Sequence, residues 1–203
     1  MWEDLVFQFT NALRRIQLFN NLTLLKLELK PLANEHLPGI LEIDRLCFGG
    51  LWSENAYKRE LDSPNSELLG LFVPTDTPLA AMGCLWAILE EAHITILAVH
   101  PQYQGQGFGQ ALLYSLLITA CDRGLERATL EVASGNLAAI SLYQKFGFKT
   151  AGLRRQYYKD TGEDALILWR GDLQQPKFSR TLSDWYSQIS DRLSQAHWNF
   201  SEL

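Results

Sequence analysis

Cysteine is scarce: three residues in 203, at positions 47, 84 and 121, with no C-x-x-C pair. An odd number of widely spaced thiols suits neither a disulfide framework nor a thiolate metal site, so reduced, buried thiols are expected. The four histidines, His36, His93, His100 and His197, lack metal-ligand spacing; no metal is expected, and ordinary structural or surface roles are assigned to them. Positive charge is in deficit, with 18 Lys and Arg against 23 Asp and Glu and a net charge of -5. That argues against a direct nucleic-acid binder relying on phosphate neutralisation. No apolar run reaches membrane-spanning length, and the first residues include Glu3 and Asp4 in place of a basic leader. No membrane partner is expected, and a cytoplasmic location follows by default.

What is present suits one core and one active site, with 47% hydrophobic residues and no internal repeat. Trp2, Leu5, Phe9, Ala12, Ile16 and Phe19 recur every three or four residues, as on one helix face. Thr23 to Leu29 reads as a strand. Leu37, Ile40, Leu41 and Leu46 suit a helix after Pro31, and Ser53 can cap another ending near Asp62. Leu68 to Val73 and Leu79 to Leu89 read as antiparallel strands across a turn carrying Pro74, Asp76 and Pro78. Ile94 to Val99 is apolar on both parities, as a central strand covered on both faces would be. Leu112 to Ala120 marks a helix stopped by Gly124, and a strand from Ala128 to Val132 follows. Asn136 can cap a helix running to Gly147, and strands Thr150 to Tyr158 and Ala165 to Trp169 flank a turn at Asp160-Thr161-Gly162. Thr181 is placed as the cap of a last helix bearing Leu182, Trp185, Ile189, Leu193 and Ala196. Trp2, Trp185 and Trp198 lie in the terminal extensions, which are therefore expected to dock.

Between the apolar strand and the helix at Leu112 lies Gln104-Gly105-Gln106-Gly107-Phe108-Gly109, where backbone N–H groups and a helix N-terminus would face an anion. It fails as a dinucleotide fingerprint, since Gln110 stands at the third glycine position, and as a P-loop, since no Gly-Lys-Ser/Thr follows. With its flanking strand and helix, it resembles motif A of the Gcn5-related N-acetyltransferases, Q/R-x-x-G-x-G/A, at Gln104, Gly107 and Gly109. The resemblance implies an α/β fold of the α+β kind: a mixed, mostly antiparallel central sheet with helices on both faces. Two parallel strands, ending at Val99 and Val132, would splay to admit acetyl-CoA. It further implies that the backbone of Leu97, Ala98 and Val99 pairs with the pantetheine amides. Gly105, Gln106, Gly107, Phe108, Gly109 and Gln110 would wrap the pyrophosphate.

Glu131 interrupts the apolar strand, and a carboxylate there is costly unless solvated, paired or catalytic. Both a structural salt bridge and a catalytic role fit the residue alone. The stretch Leu130-Glu-Val-Ala-Ser-Gly-Asn136, then Ala139-Ile-Ser-Leu-Tyr143, then Gly147-Phe148 is similar to the RimI-type ribosomal-protein alanine acetyltransferases, L-E-V-R-x-S-N, A-x-x-L-Y and G-F. The similarity implies Glu131 as general base, Tyr143 as general acid and Asn136 as a cofactor-contacting amide. It implies direct transfer from acetyl-CoA to a protein N-terminus, above all the N-terminal alanine of a basic small-subunit ribosomal protein. Arg154-Arg155-Gln156-Tyr157-Tyr158 and Glu163-Asp164-Ala165 resemble the segments lining the acceptor side, and Trp52-Ser53 resembles part of F-P-W-S, which places Trp52, Tyr157 and Tyr158 at the substrate. This chain departs from the pattern at Gly49-Gly50-Leu51, Ala133, Gly135 and Gly105, the last where a basic residue is common.

The resemblance spans residues 24-173 as the N-acetyltransferase domain, leaving helical extensions at 1-23 and 174-203. Two other readings keep the turn but change its use: acetylation of other protein N-termini, lysines or small amines, and a non-catalytic acetyl-CoA-binding module. Acceptor competition separates the first, and turnover of any amine excludes the second.

Overall fold

A computed structural model describes residues 24–75 and 78–201. The expected N-terminal helix, with residues 1-23, and Asp76 of the turn lie outside the described residues.

Local chemistry sets most element ends. Strand β1 (Leu25–Pro31) leads to helix α1 (Leu37–Phe48), which stops at Gly49, left-handed at φ 74 with its N–H donating to the Arg45 carbonyl at 3.1 Å. Ser53 caps α2 (Glu54–Leu61), its Oγ accepting from the Ala56 N–H at 3.2 Å. Strands β2 (Ser66–Phe72), β3 (Leu79–Ile88) and β4 (Glu91–Val99) form an antiparallel meander, and the glycine turn opens α3 (Phe108–Asp122). Then come β5 (Arg127–Ala133), α4 (Leu137–Lys145), β6 (Lys149–Tyr158), β7 (Glu163–Arg170), α5 (Pro176–Gln195) and β8 (Trp198–Ser201).

The eight strands form one sheet in the order β6-β7-β5-β4-β3-β2-β1-β8. The β4–β5 and β1–β8 pairs are parallel and the others antiparallel. Helices cover both faces. One core joins α1 and α2 to the sheet through Leu37, Ile40, Ile43 and Tyr57; the other joins α3, α4 and α5 through Leu112, Leu116, Tyr143, Phe178 and Leu193.

The double apolar parity of β4 has a cause beyond two covered faces. Cys84 lies opposite Ile96 but Leu85 opposite Ile94, so Thr95 is an extra residue, a β-bulge. Ala92 and Ile94 pack in the α3 core, whereas Ile96 and Ala98, on the same sequence parity, pack in the α1 core.

The C-terminal segment corrects two expectations. Its helix starts at Pro176, five residues before Thr181, because Gln175 is extended and Pro176 is preset for the first helical position. Thr181 lies inside the helix and donates to the Lys177 carbonyl at 3.3 Å. After the helix, Trp198 lies not in a helical tail but in β8, which adds to β1 with Leu25 opposite Trp198. Phe178, Ile189, Leu193, Trp198 and Phe200 are all buried, so this extension shares the main core.

Candidate active site

Strands β4 and β5 pair only from Glu91 opposite Arg127 to His93 opposite Thr129, and beyond that they part. The bulge at Thr95 begins where the pairing stops. The His100 N–H donates to the Ala80 carbonyl at 2.9 Å, which by antiparallel alternation turns the polar groups of Ala98 toward β3 and those of Leu97 and Val99 toward the gap. Of these three backbones, Leu97 and Val99 present an open edge to an incoming chain of amides. The Val99 carbonyl there already accepts from Gln104 Nε2 at 3.0 Å and the Cys47 thiol at 3.3 Å.

At the mouth of the gap, Gly105 and Gly107 are left-handed, with φ of 76 and 105. Among the described residues, the N–H groups of Gly105, Gln106, Gly107, Phe108 and Gly109 find no acceptor within the protein. Five successive unpaired donors running from the turn into the first residues of α3 form an anion cradle. The side chains of the turn face elsewhere. Gln106 accepts from Trp198 Nε1 at 2.8 Å, and the buried Phe108 ring stacks on Tyr103 at 5.3 Å. Gln110 is half-buried in the first turn of α3. Asn136 caps α4, its Oδ1 accepting from the Ala139 N–H at 3.1 Å, which leaves its NH2 for another partner.

Glu131 lies on the face of β5 away from α3. Its side chain is 10% exposed and held by two cations or potential cations: Arg154 Nη2 at 2.9 Å and His93 Nε2 at 3.2 Å. The salt-bridge reading of Glu131 thus holds, and the same contacts aim the carboxylate. The Thr129 hydroxyl donates to Glu91 at 2.7 Å, so its oxygen accepts from His93 Nδ1–H at 2.9 Å. Nε2 then faces a Glu131 carboxylate oxygen. Arg127 Nε, 3.0 Å from Glu91, ends the chain at the surface.

The expected acceptor residues gather around this carboxylate. Trp52 stacks on Trp86 at 6.1 Å, and Trp86 meets His93 at 6.2 Å. Arg154 lies over the exposed Tyr157 ring at 5.6 Å, and Tyr157 packs edge-on against Tyr158 at 5.2 Å. Asp164 Oδ1 accepts from the Gln156 N–H at 2.8 Å and holds that residue left-handed at φ 49, so that Tyr157 lies in the irregular stretch after Arg154 and Tyr158 rejoins the ladder opposite Glu163. Glu163 accepts from the Gly135 N–H at 2.6 Å, and a side chain at 135 would lie 2.8 Å from that carboxylate. Glu163 and Asp164 therefore fix the backbone at Gly135 and Gln156, behind the residues expected at the acceptor.

Tyr143 is buried on α4 against Phe148. Burial, with a smaller effect of nearby Tyr158, pushes its phenol well above the usual value. Burial also raises Tyr158, aided by Tyr157 and Glu131, so Glu131, Tyr158 and Tyr143 share one neighbourhood. Burial pushes Cys84 up to about 12 and Cys121 up to about 11, so neither offers a thiolate nucleophile at neutral pH. His93 and Trp86 are what sequence reasoning missed. Their only signal was a histidine facing outward two residues before a bulge, legible once the strand register is known.

A splayed parallel pair, an anion cradle at its mouth and a carboxylate beside the gap define an acetyltransferase site, and the chain belongs to the acetyltransferase (GNAT) family, whose model matches residues 37–148. Enzymes of this family draw their acetyl group from acetyl-CoA, and the open edge and cradle fit its amides and phosphates. The chain is similar to the putative [ribosomal protein bS18]-alanine N-acetyltransferase of Bacillus subtilis, 35% identical over 136 residues that make up 66% of this chain and 89% of that protein. The N-alpha-acetyltransferase RimI of Mycobacterium tuberculosis is 37% identical over 59% of this chain and 75% of its own. The crystal structure of the ribosomal-protein-S18-alanine N-acetyltransferase from Escherichia coli matches with a TM-score of 0.65 and 32% identity, over 72% of this chain and 94% of that one. No helix among the described residues is long and apolar enough to cross a membrane.

Proposed function

We propose that this enzyme acetylates the α-amino group of a protein N-terminus directly, with the N-terminal alanine of a small-subunit ribosomal protein as its substrate. The observation that carries the reading is the Glu131 carboxylate at the open end of the β4–β5 gap, aimed by Arg154 and His93. The relatives named for bS18 alanine acetylation support the choice of acceptor.

Acetyl-CoA supplies an activated thioester carbonyl. An α-amino group titrates near 8 and cannot attack while protonated. Glu131 removes that proton, directly or through a water, and the chain His93–Thr129–Glu91 gives it an onward path. Tyr143, whose phenol burial keeps protonated, donates to the departing thiolate. The free N–H groups from Gly105 to Gly109 hold the pyrophosphate, and the Asn136 NH2 contacts the cofactor beside them. Trp52, Tyr157 and Tyr158 line the path of the acceptor.

The test is acetylation of an alanine-starting basic peptide. Glu131→Gln and Tyr143→Phe should each lower kcat by about 10²–10⁴-fold, the usual worth of a general acid or base. Wild-type rates in both would remove these roles. Gly49-Gly50-Leu51 stands where the resembling pattern has a single proline, with Gly49 and Gly50 left-handed at φ 74 and 97, and favours a second reading in which other N-termini are also accepted. Competing peptides that differ only in the first residue decide it.

A further inference from the structure

From Glu60 to Asp122 the chain has no lysine or arginine. The open strand edge, the glycine turn and the whole of α3 thus bring no side-chain cation to a cofactor carrying a diphosphate and a 3′-phosphate. The helix N-terminus supplies only about half a positive charge. Gly105, where the resembling pattern often has a basic residue, adds none.

A cation does reach the turn, from the far end of the chain. Arg192 Nη2 of α5 lies 2.8 Å from the Gly105 carbonyl oxygen. Its stem crosses the turn, since a Cβ built on Gly107 would meet Arg192 Cγ and Cδ at 3.4 Å each. The neighbouring Leu193 is fully buried and fixes the backbone from which Arg192 extends. The Arg192 side chain is exposed, and among the described residues no carboxylate lies within salt-bridge distance of it. One of its five N–H donors is used on Gly105, which leaves the others without a protein partner among the described residues.

We propose that Arg192 is a cofactor-binding residue, its guanidinium paired with a phosphate of CoA at the Gly105–Gly109 turn. The inference rests on the acetyl-CoA reading of that turn. It places the C-terminal helix in the binding site, outside the span that matches the family model. The carbonyl contact orients the guanidinium, and charge-assisted hydrogen bonds to phosphate do the binding.

The test measures dissociation constants by calorimetry for acetyl-CoA and 3′-dephospho-acetyl-CoA, at low and high salt, on wild type, Arg192→Gln and Arg192→Lys. Arg192→Gln is expected to weaken acetyl-CoA about tenfold or more at low salt, with an unchanged ligand-free melting temperature and a shallower salt dependence. Arg192→Lys should recover part of the loss. If dephospho-acetyl-CoA shows the same loss the contact is with the diphosphate, and if it shows none the contact is with the 3′-phosphate; either supports the inference. Binding by Arg192→Gln within twofold of wild type overturns it. So does a loss accompanied by a lower ligand-free melting temperature that lysine does not relieve, which marks a clamp on the turn. Failure of the wild type itself to bind acetyl-CoA overturns the reading of the turn as well.

Discussion

In its proposed role as general acid, the Tyr143 phenol is useful only while it holds its proton, and burial raises it above the ordinary value near 10. The sign follows. A raised acid stays competent to higher pH, so kcat should climb as the acceptor amine loses its proton near pH 8 and then stay level to about pH 10. Tyr143→Phe should lower the whole profile without changing its shape. A descending limb between pH 8 and 10 that disappears in Tyr143→Phe would contradict the assignment. Glu131 and His93 differ in how they are read. A carboxylate among Ala128, Leu130 and Val132 announces itself in sequence, because burial next to apolar residues needs a reason. His93 lies 38 positions before its carboxylate partner, in an unremarkable E-A-H-I-T stretch, and only the pairing of β4 with β5 brings the two together.

Helix α4 carries Tyr143 at one end and the Asn136 cap at the other, so Asn136 bears on stability and, in the proposed function, on the cofactor as well. Its oxygen caps the Ala139 N–H, and its NH2 is assigned to the cofactor. Asn136→Asp keeps an acceptor for the cap but loses the donor, whereas Asn136→Ala loses both. The expected result is a KM for acetyl-CoA raised in both variants, with a stability loss of about 1 kcal/mol in the alanine variant alone. Equal KM values in Asn136→Asp and wild type would remove Asn136 from the cofactor site. Elements of this kind are legible from sequence, since caps and left-handed stops at Ser53, Asn136, Gly124 and Gly147 act within a few residues. The bulge at Thr95 and strand β8 are not. The first depends on the register of β3, and the second on a parallel pairing between Leu25 and Trp198 across nearly the whole chain. The helix start at Pro176 was locally encoded, but the later Thr181 offered a competing cap.

At the scale of the molecule, the question is whether the C-terminal extension is an appendage or part of the fold. Phe178, Ile189, Leu193, Trp198 and Phe200 all sit in the same core as Leu27, Leu112 and Tyr143. Arg170 lies 4.6 Å over Phe178 and 4.9 Å over Trp185, which binds the last strand of the catalytic half to the helix that follows. Truncating one large buried side chain costs about 2–5 kcal/mol, and a domain has only about 5–15 kcal/mol to lose. Removing five at once exceeds that reserve. Truncation after Leu173 is therefore expected to abolish cooperative thermal unfolding, even though it keeps Glu131, Tyr143 and the whole glycine turn. The milder Leu193→Ala should still fold, with a lower melting temperature partly restored by saturating acetyl-CoA through linkage. It should also raise the dissociation constant for acetyl-CoA, because Leu193 fixes the helix that packs against Gly107. A truncated chain that melts cooperatively near the wild-type temperature, and binds acetyl-CoA as tightly, would make the extension an appendage.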